Sequence, residues 1–237
     1  MNIVYHKGKP CASCGNITEI SVVVHTETNG EFDLDMRPSA PARFTMDQQV
    51  TECPHCGYVN VSIDQEIPNW KETLSSRSFK RNDGIKVCSP LARKLIRYAV
   101  LNRQGNVWGE ALKGFVYASW ACDDNGERKA AKECRKRAVQ IFNDHDCVTC
   151  LVPENDAVLL RADVLRKAGY FKKVLAQFNE KRTGEAIIDK CLAFEVELAT
   201  KKDLNRYYVD LNHEIRINPV PEKIIDKGSK RKREKKR

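Results

Sequence analysis

Two short segments have the residue types and spacing to do chemistry: Cys11-Ala-Ser-Cys14-Gly15 and Cys53-Pro-His-Cys56-Gly57. In a Cys-x-x-Cys-Gly knuckle the tight turn aims both thiolates at one metal, and amides near the glycine donate to the sulfurs. Two knuckles supply four soft ligands, Cys11, Cys14, Cys53 and Cys56, which suit tetrahedral Zn(2+). A shell closed by four thiolates leaves no position for water or substrate, so the expected role is structural. An iron–sulfur cluster or a set of plain reduced thiols are the alternative readings. The 38 residues between Cys14 and Cys53 exceed the roughly 15 to 20 of the compact motif and call for a hairpin insertion. His55, inside the second knuckle, is expected to be exposed and not a ligand.

The other candidate positions are weaker. Cys147-Val-Thr-Cys150 beside His145 has no matching pair and no following glycine. It reads as packing in an interhelical loop, with a second metal site completed by His145 or Cys122 as the competing view. Cys88, Cys122, Cys134 and Cys191 lie in or beside helical patterns, where a reduced thiol packs as a small apolar residue. The sequence contains no P-loop, no dinucleotide-binding glycine pattern, no nucleophile elbow and no His-Glu-x-x-His. The five histidines, at 6, 25, 55, 145 and 213, form no recognised catalytic arrangement. Catalysis is therefore not expected, although acids and histidines brought together from distant positions would leave no local trace.

The elements that position the knuckles fall into two halves. In residues 1–66 the pattern is β: Ile20, Val22 and Val24 alternate with Ser21, Val23 and His25, and Asn29-Gly30 predicts a hairpin turn into Phe32, Leu34 and Met36. Strands are expected again over 44–50 and 58–63. On that alternation Asp33, Asp35 and Arg37 share one strand face as a surface salt-bridge ladder, or as a small polar binding surface. Residues 67–90 lose periodicity and read as a linker. From Leu91 apolar residues recur at helical spacing over 91–100, 111–119, 130–142, 157–167, 171–178 and 186–199. The Ala162–Gly169 joint, followed by Val174 and Phe178, approaches the tetratricopeptide spacing; the Ala99–Gly105 joint fits less well. The expected architecture is α+β: a zinc-ribbon-like domain (1–66), a linker (67–90), an α-helical tetratricopeptide-like domain (91–212) and a disordered basic tail (213–237).

Asp33-Leu-Asp-Met-Arg-Pro-Ser-Ala-Pro-Ala-Arg-Phe-Thr-Met, together with Val50-Thr-Glu-Cys-Pro-His-Cys-Gly-Tyr-Val59, resembles a group of uncharacterised bacterial proteins, similar to the domain of unknown function 2225 family. The resemblance implies two zinc knuckles joined to a tetratricopeptide-like helical domain. It brings no established activity.

Charge and composition bound the partners. Of the net charge of +9, the last eleven residues carry +7, so the remaining 226 sum to only +2. A salt-sensitive contact with nucleic acid or ribosome would therefore use Lys230, Arg231, Lys232, Arg233, Lys235, Lys236 and Arg237. One helix adds Lys129, Lys132, Arg135, Lys136 and Arg137. The leading expectation is a non-catalytic zinc-binding adaptor whose helical array takes a protein partner. No stretch approaches the roughly 18 apolar residues of a membrane span, and the first residues have no secretory h-region, which points to a reducing, cytoplasmic setting.

Overall fold

The computed structural model describes residues 3–218, and all that follows concerns those residues. The chain is mixed: helices dominate, and three small antiparallel sheets accompany them. The helical half follows the 3.6-residue spacing of its apolar side chains. Helix α4 (Pro90–Gln104) starts on Ser89, whose side chain accepts from the Ala92 amide, with Pro90 at the first helical position. Then come α5 (Trp108–Asp124), α6 (Arg128–Asp144), α7 (Glu154–Ala168), α8 (Phe171–Phe178) and α9 (Ala186–Thr200). Consecutive helices pack on one another. The tightest approach is at Gly114, where a Cβ would stand 2.8 Å from that of Ala99, so α4 and α5 meet nearly backbone to backbone. Helix α7 ends on Gly169 at φ 90°, a left-handed C-terminus that glycine adopts without a Cβ clash.

The N-terminal half departs from the alternation expected for it. Strand β2 (Ile17–His25) pairs with β1 (Ile3–Pro10), not with a strand after Asn29-Gly30, so the hairpin's turn is the first cysteine knuckle. The 44–50 segment is not a strand. A 3-10 turn (Ala42–Thr45) runs into α1 (Met46–Gln49), which places Ala42, Thr45 and Met46 inward together. The second knuckle is likewise a hairpin turn, between β4 (Thr51–Glu52) and β5 (Val59–Asn60).

Residues 67–90 are not a bare linker. They carry α2 (Trp70–Ser75) and α3 (Arg77–Lys80), and bury Ile67, Phe79 and Ile85. Asp83 fastens the segment down, accepting from Arg103 at 2.7 Å and Arg137 at 2.6 Å. Nor does order stop at 212, since β6 (Tyr207–Val209) pairs with β7 (Ile215–Ile217). On its other side β6 pairs with β3 (Phe32–Asp33), so a sheet joins the N-terminal half to the C-terminal end, and one continuous core runs from Cys11 to Val209. The basic residues of the expected tail, 230–237, lie outside the described residues.

The largest difference concerns Asp33-Leu-Asp-Met-Arg37. The polar ladder is not on the surface: Asp33, Leu34, Asp35 and Arg37 are all buried, at 3% exposure or less. Met36 turns the backbone at φ 61°, the Asp33 amide donates to the Arg37 carbonyl at 2.9 Å, and the strand faces disappear into a tight loop. The buried charges then find partners on the helices. Asp35 meets Lys167 at 2.9 Å and Arg135 at 3.7 Å; Arg37 holds Asp124 with two bonds at 2.9 and 2.6 Å; Asp33 takes Arg43 at 2.5 Å. Burial works against ionising Asp35, but Lys167 and Arg135 outweigh it and hold its carboxyl well below the usual range.

Candidate metal centre

The knuckles are built alike, residue for residue. The Gly15 amide donates to the Cys11 carbonyl at 2.8 Å and the Gly57 amide to Cys53 at 2.9 Å; the Cys11 amide donates to Asn16 and that of Cys53 to Tyr58. Gly15 and Gly57 sit at φ 74° and 75°, the left-handed turn that closes each loop without a Cβ. The second knuckle is held from behind by Tyr58, whose hydroxyl accepts from the Ile67 amide at 2.9 Å and donates to the Gln65 carbonyl at 2.8 Å. The two loops are tied together by the Ala12 amide on the Ile63 carbonyl at 2.9 Å, and by Lys9 on Asp64 at 2.7 Å.

This scaffold brings all four cysteines to one point, with their sulfurs within 4.8 Å of one another. Cys11 and Cys56 are 3.7 Å apart, as are Cys14 and Cys53. A disulfide needs about 2.0 Å, so these are four free thiols. Metal–sulfur bonds of about 2.3 Å in a tetrahedron require sulfur separations of about 3.8 Å, which these two pairs match while the other separations stay within 4.8 Å. Several irons with bridging sulfides need a wider cage. The donor set can hold a metal ion.

The electrostatics agree. Burial opposes ionisation of Cys53, but the Thr18 hydroxyl, donating at 3.4 Å, and the Cys56 and His55 amides bring it down to about 6. Burial pushes Cys11 up to about 12, amides of Cys14 and Ser13 oppose that, and the thiols of Cys56 and Cys53 add to it. Burial also raises Cys56, against donation from Ser13. Four sulfurs this close cannot all become thiolates without a cation between them, and a divalent ion supplies that charge.

The remaining sequence candidates separate clearly. His55 is exposed, as expected. Cys147 is buried, while Cys150 is exposed and lies where a Cβ on Gly109 would meet its sulfur at 3.1 Å; the neighbouring His145 stacks on Trp108 at 3.8 Å. Among the described residues no group of three or more ligand side chains forms there or anywhere outside the four N-terminal cysteines. The basic set on α6 is largely spent on ion pairs: Arg135 with Asp123 at 2.5 Å, Arg137 with Asp83, and Lys136 with Glu133 at 2.7 Å.

Sequence reasoning missed a second polar centre, where α5, α6, α7 and α9 meet the buried loop. Arg166, fully buried, bonds Glu195 at 2.6 Å and Asp163 at 2.7 Å, and donates to the carbonyls of Asp203 and Asn205. The available signal was a run of charges, Asp33 to Arg37, in a segment with no loop composition of its own. Among the described residues no helix is long and apolar enough to cross a membrane. No protein-family model, curated protein or solved structure matches the chain, so its functional reading rests on this geometry.

Proposed function

We propose that this protein is a non-catalytic adaptor in which zinc, held by Cys11, Cys14, Cys53 and Cys56, fixes a β-ribbon to a tetratricopeptide-like helical body for presentation to a protein partner. The observation that carries the reading is the closed four-sulfur cluster at the base of β1–β2. A filled thiolate shell supplies rigidity and no open coordination position. Zinc is favoured over other ions by the single-ion dimensions and the all-thiolate donor set.

The ribbon, more than the helices, offers the contact face. The exposed large apolar side chains of the described residues include Tyr5, Ile17 and Val24 on β1 and β2, and Val61 just past the second knuckle; none lies on α4 to α9. Helix α1 packs against β2, but among the described residues β1 pairs with no strand other than β2, so an extended partner segment can add to its outer edge through main-chain hydrogen bonds. The notion that the helical array itself grips the partner finds less support, because its apolar side chains are spent on the core.

The test has two parts. Metal analysis of the purified chain should give one zinc per molecule, lost in Cys53→Ser. Photo-crosslinkers at Tyr5 and Val24, compared with Arg93 and Gln140 on exposed helical positions, should capture a discrete protein in the native cell only from the ribbon. That product should survive nuclease and vanish in Cys53→Ser. Crosslinks from the helices alone, or a product that nuclease removes, would overturn the adaptor reading.

A further inference from the structure

Beside the buried charge centre lies a cavity of about 230 Å³ with five basic side chains in its wall, Arg128, Lys132 and Arg135 from α6, Lys167 from α7, and Arg206, against one carboxylate, Asp123. Positions 128, 132 and 135 fall on one face of α6, at i, i+4 and i+7. Asn205 and Asn218 bring amide groups, and Leu204 and Ile217 form an apolar flank, 45% and 58% exposed.

Most of these charges are already matched. Arg37 and Arg206 share Asp124, while Arg135, Lys167 and Arg166 are linked through Asp35, Asp123, Asp163 and Glu195, so five cations face five carboxylates in two sets of ion pairs. Arg128 and Lys132 fall outside that balance: no ion pair or hydrogen bond to either occurs among the described residues. They add a surplus of two positive charges at the cavity. The Lys132 ammonium lies over Gly169, 3.0 Å from where a Cβ would be. Arg135, whose buried Nε has no partner, also lines the cavity.

We infer that this cavity binds a small phosphate monoester. A dianionic head matches the two surplus charges, and guanidinium with amide donors suits phosphate oxygens. A cavity below the roughly 300 Å³ of drug-sized sites admits only a short carbon body, which Leu204 and Ile217 would flank. The inference is independent of the zinc site and of the ribbon's partner.

Calorimetry on the full zinc-loaded chain tests it, with glycerol 3-phosphate, inorganic phosphate and malate as probes. Glycerol 3-phosphate should bind one per chain, more weakly as salt rises. Inorganic phosphate, lacking the carbon body, should bind more weakly, and malate more weakly still. Arg128→Gln/Lys132→Gln should weaken glycerol 3-phosphate at least about tenfold, roughly 1.4 kcal/mol, with Tm unchanged. No saturable binding, or binding that the double variant leaves intact, would overturn the site. Malate or inorganic phosphate binding as tightly as glycerol 3-phosphate would overturn its assignment to a phosphate ester.

Discussion

Replacing Asp35 by Ala should destabilise the whole molecule by about 3 to 5 kcal/mol, the range for breaking one side of a buried ion pair. Asp35 is 2% exposed, 2.9 Å from Lys167 and 3.7 Å from Arg135. At an effective dielectric of about 20, the nearer pair alone is worth about 6 kcal/mol of gross attraction before desolvation is counted. Removing the carboxylate leaves Lys167 with Asp163 at 3.0 Å and Arg135 with Asp123, so part of the loss is absorbed and the lower end of the range is expected. Urea unfolding of the purified chain measures it, as a lowered midpoint with the slope unchanged. The double variant Asp35→Leu/Lys167→Met removes both buried charges and should recover most of the stability, which separates the pair's specificity from its net worth. A loss below about 1 kcal/mol in Asp35→Ala would refute the view that this loop is clamped to the helices by charge.

Chelation of the metal should lower Tm for the entire chain, because the knuckles share one core with the helices, and hydrogen exchange should rise first in 3–25 and 51–63. Cobalt added to the metal-free chain should show the thiolate charge-transfer and ligand-field bands of a tetrahedral four-sulfur site; an octahedral spectrum would count against it. Burial, with Asp35 beside it, lifts Asp33 to about 6 against the pull of Arg43. A carboxyl raised in the folded state contributes stability that is full below about 4, its unfolded value, and lost as pH rises through about 6. Asp33→Asn, which mimics the protonated form, should therefore gain on the parent chain by about 2 to 3 kcal/mol between pH 4 and 7; parallel stability curves would exclude this origin. Gly114→Ala should destabilise by about 1 to 2 kcal/mol despite a helix-propensity gain of about 1, because the new methyl meets Ala99; a higher Tm would show that α4 and α5 separate freely.

Helices α4 to α9 were legible because their signal is local. Leu95, Ile96 and Ala99, or Ala111, Leu112 and Phe115, repeat within a turn or two, and every one of them is buried. The knuckles were legible for the same reason, their two cysteines and the left-handed glycine falling within five residues. Alternation failed where strands are very short. Two-residue strands such as β3 and β4 impose no period, and a single turn at Met36 sends Asp33, Asp35 and Arg37 inward together. The 67–90 segment escaped notice because its helices are one or two turns long and its anchors, Ile67, Phe79 and Asp83, are spaced too widely for any window.

By itself the sequence picked out the two knuckles with Cys11, Cys14, Cys53 and Cys56, the order of the helices, and the surfeit of charge between Asp33 and Arg37. Only the tertiary structure decided how those pieces meet: the four sulfurs in one cluster, β3 beside β6, Arg37 on Asp124 and Asp35 on Lys167, 87 and 132 residues away. Periodicity reports which face of an element avoids water. A charge carries no such period, and the partner that lets it be buried is supplied by the packing of elements that are remote in the chain.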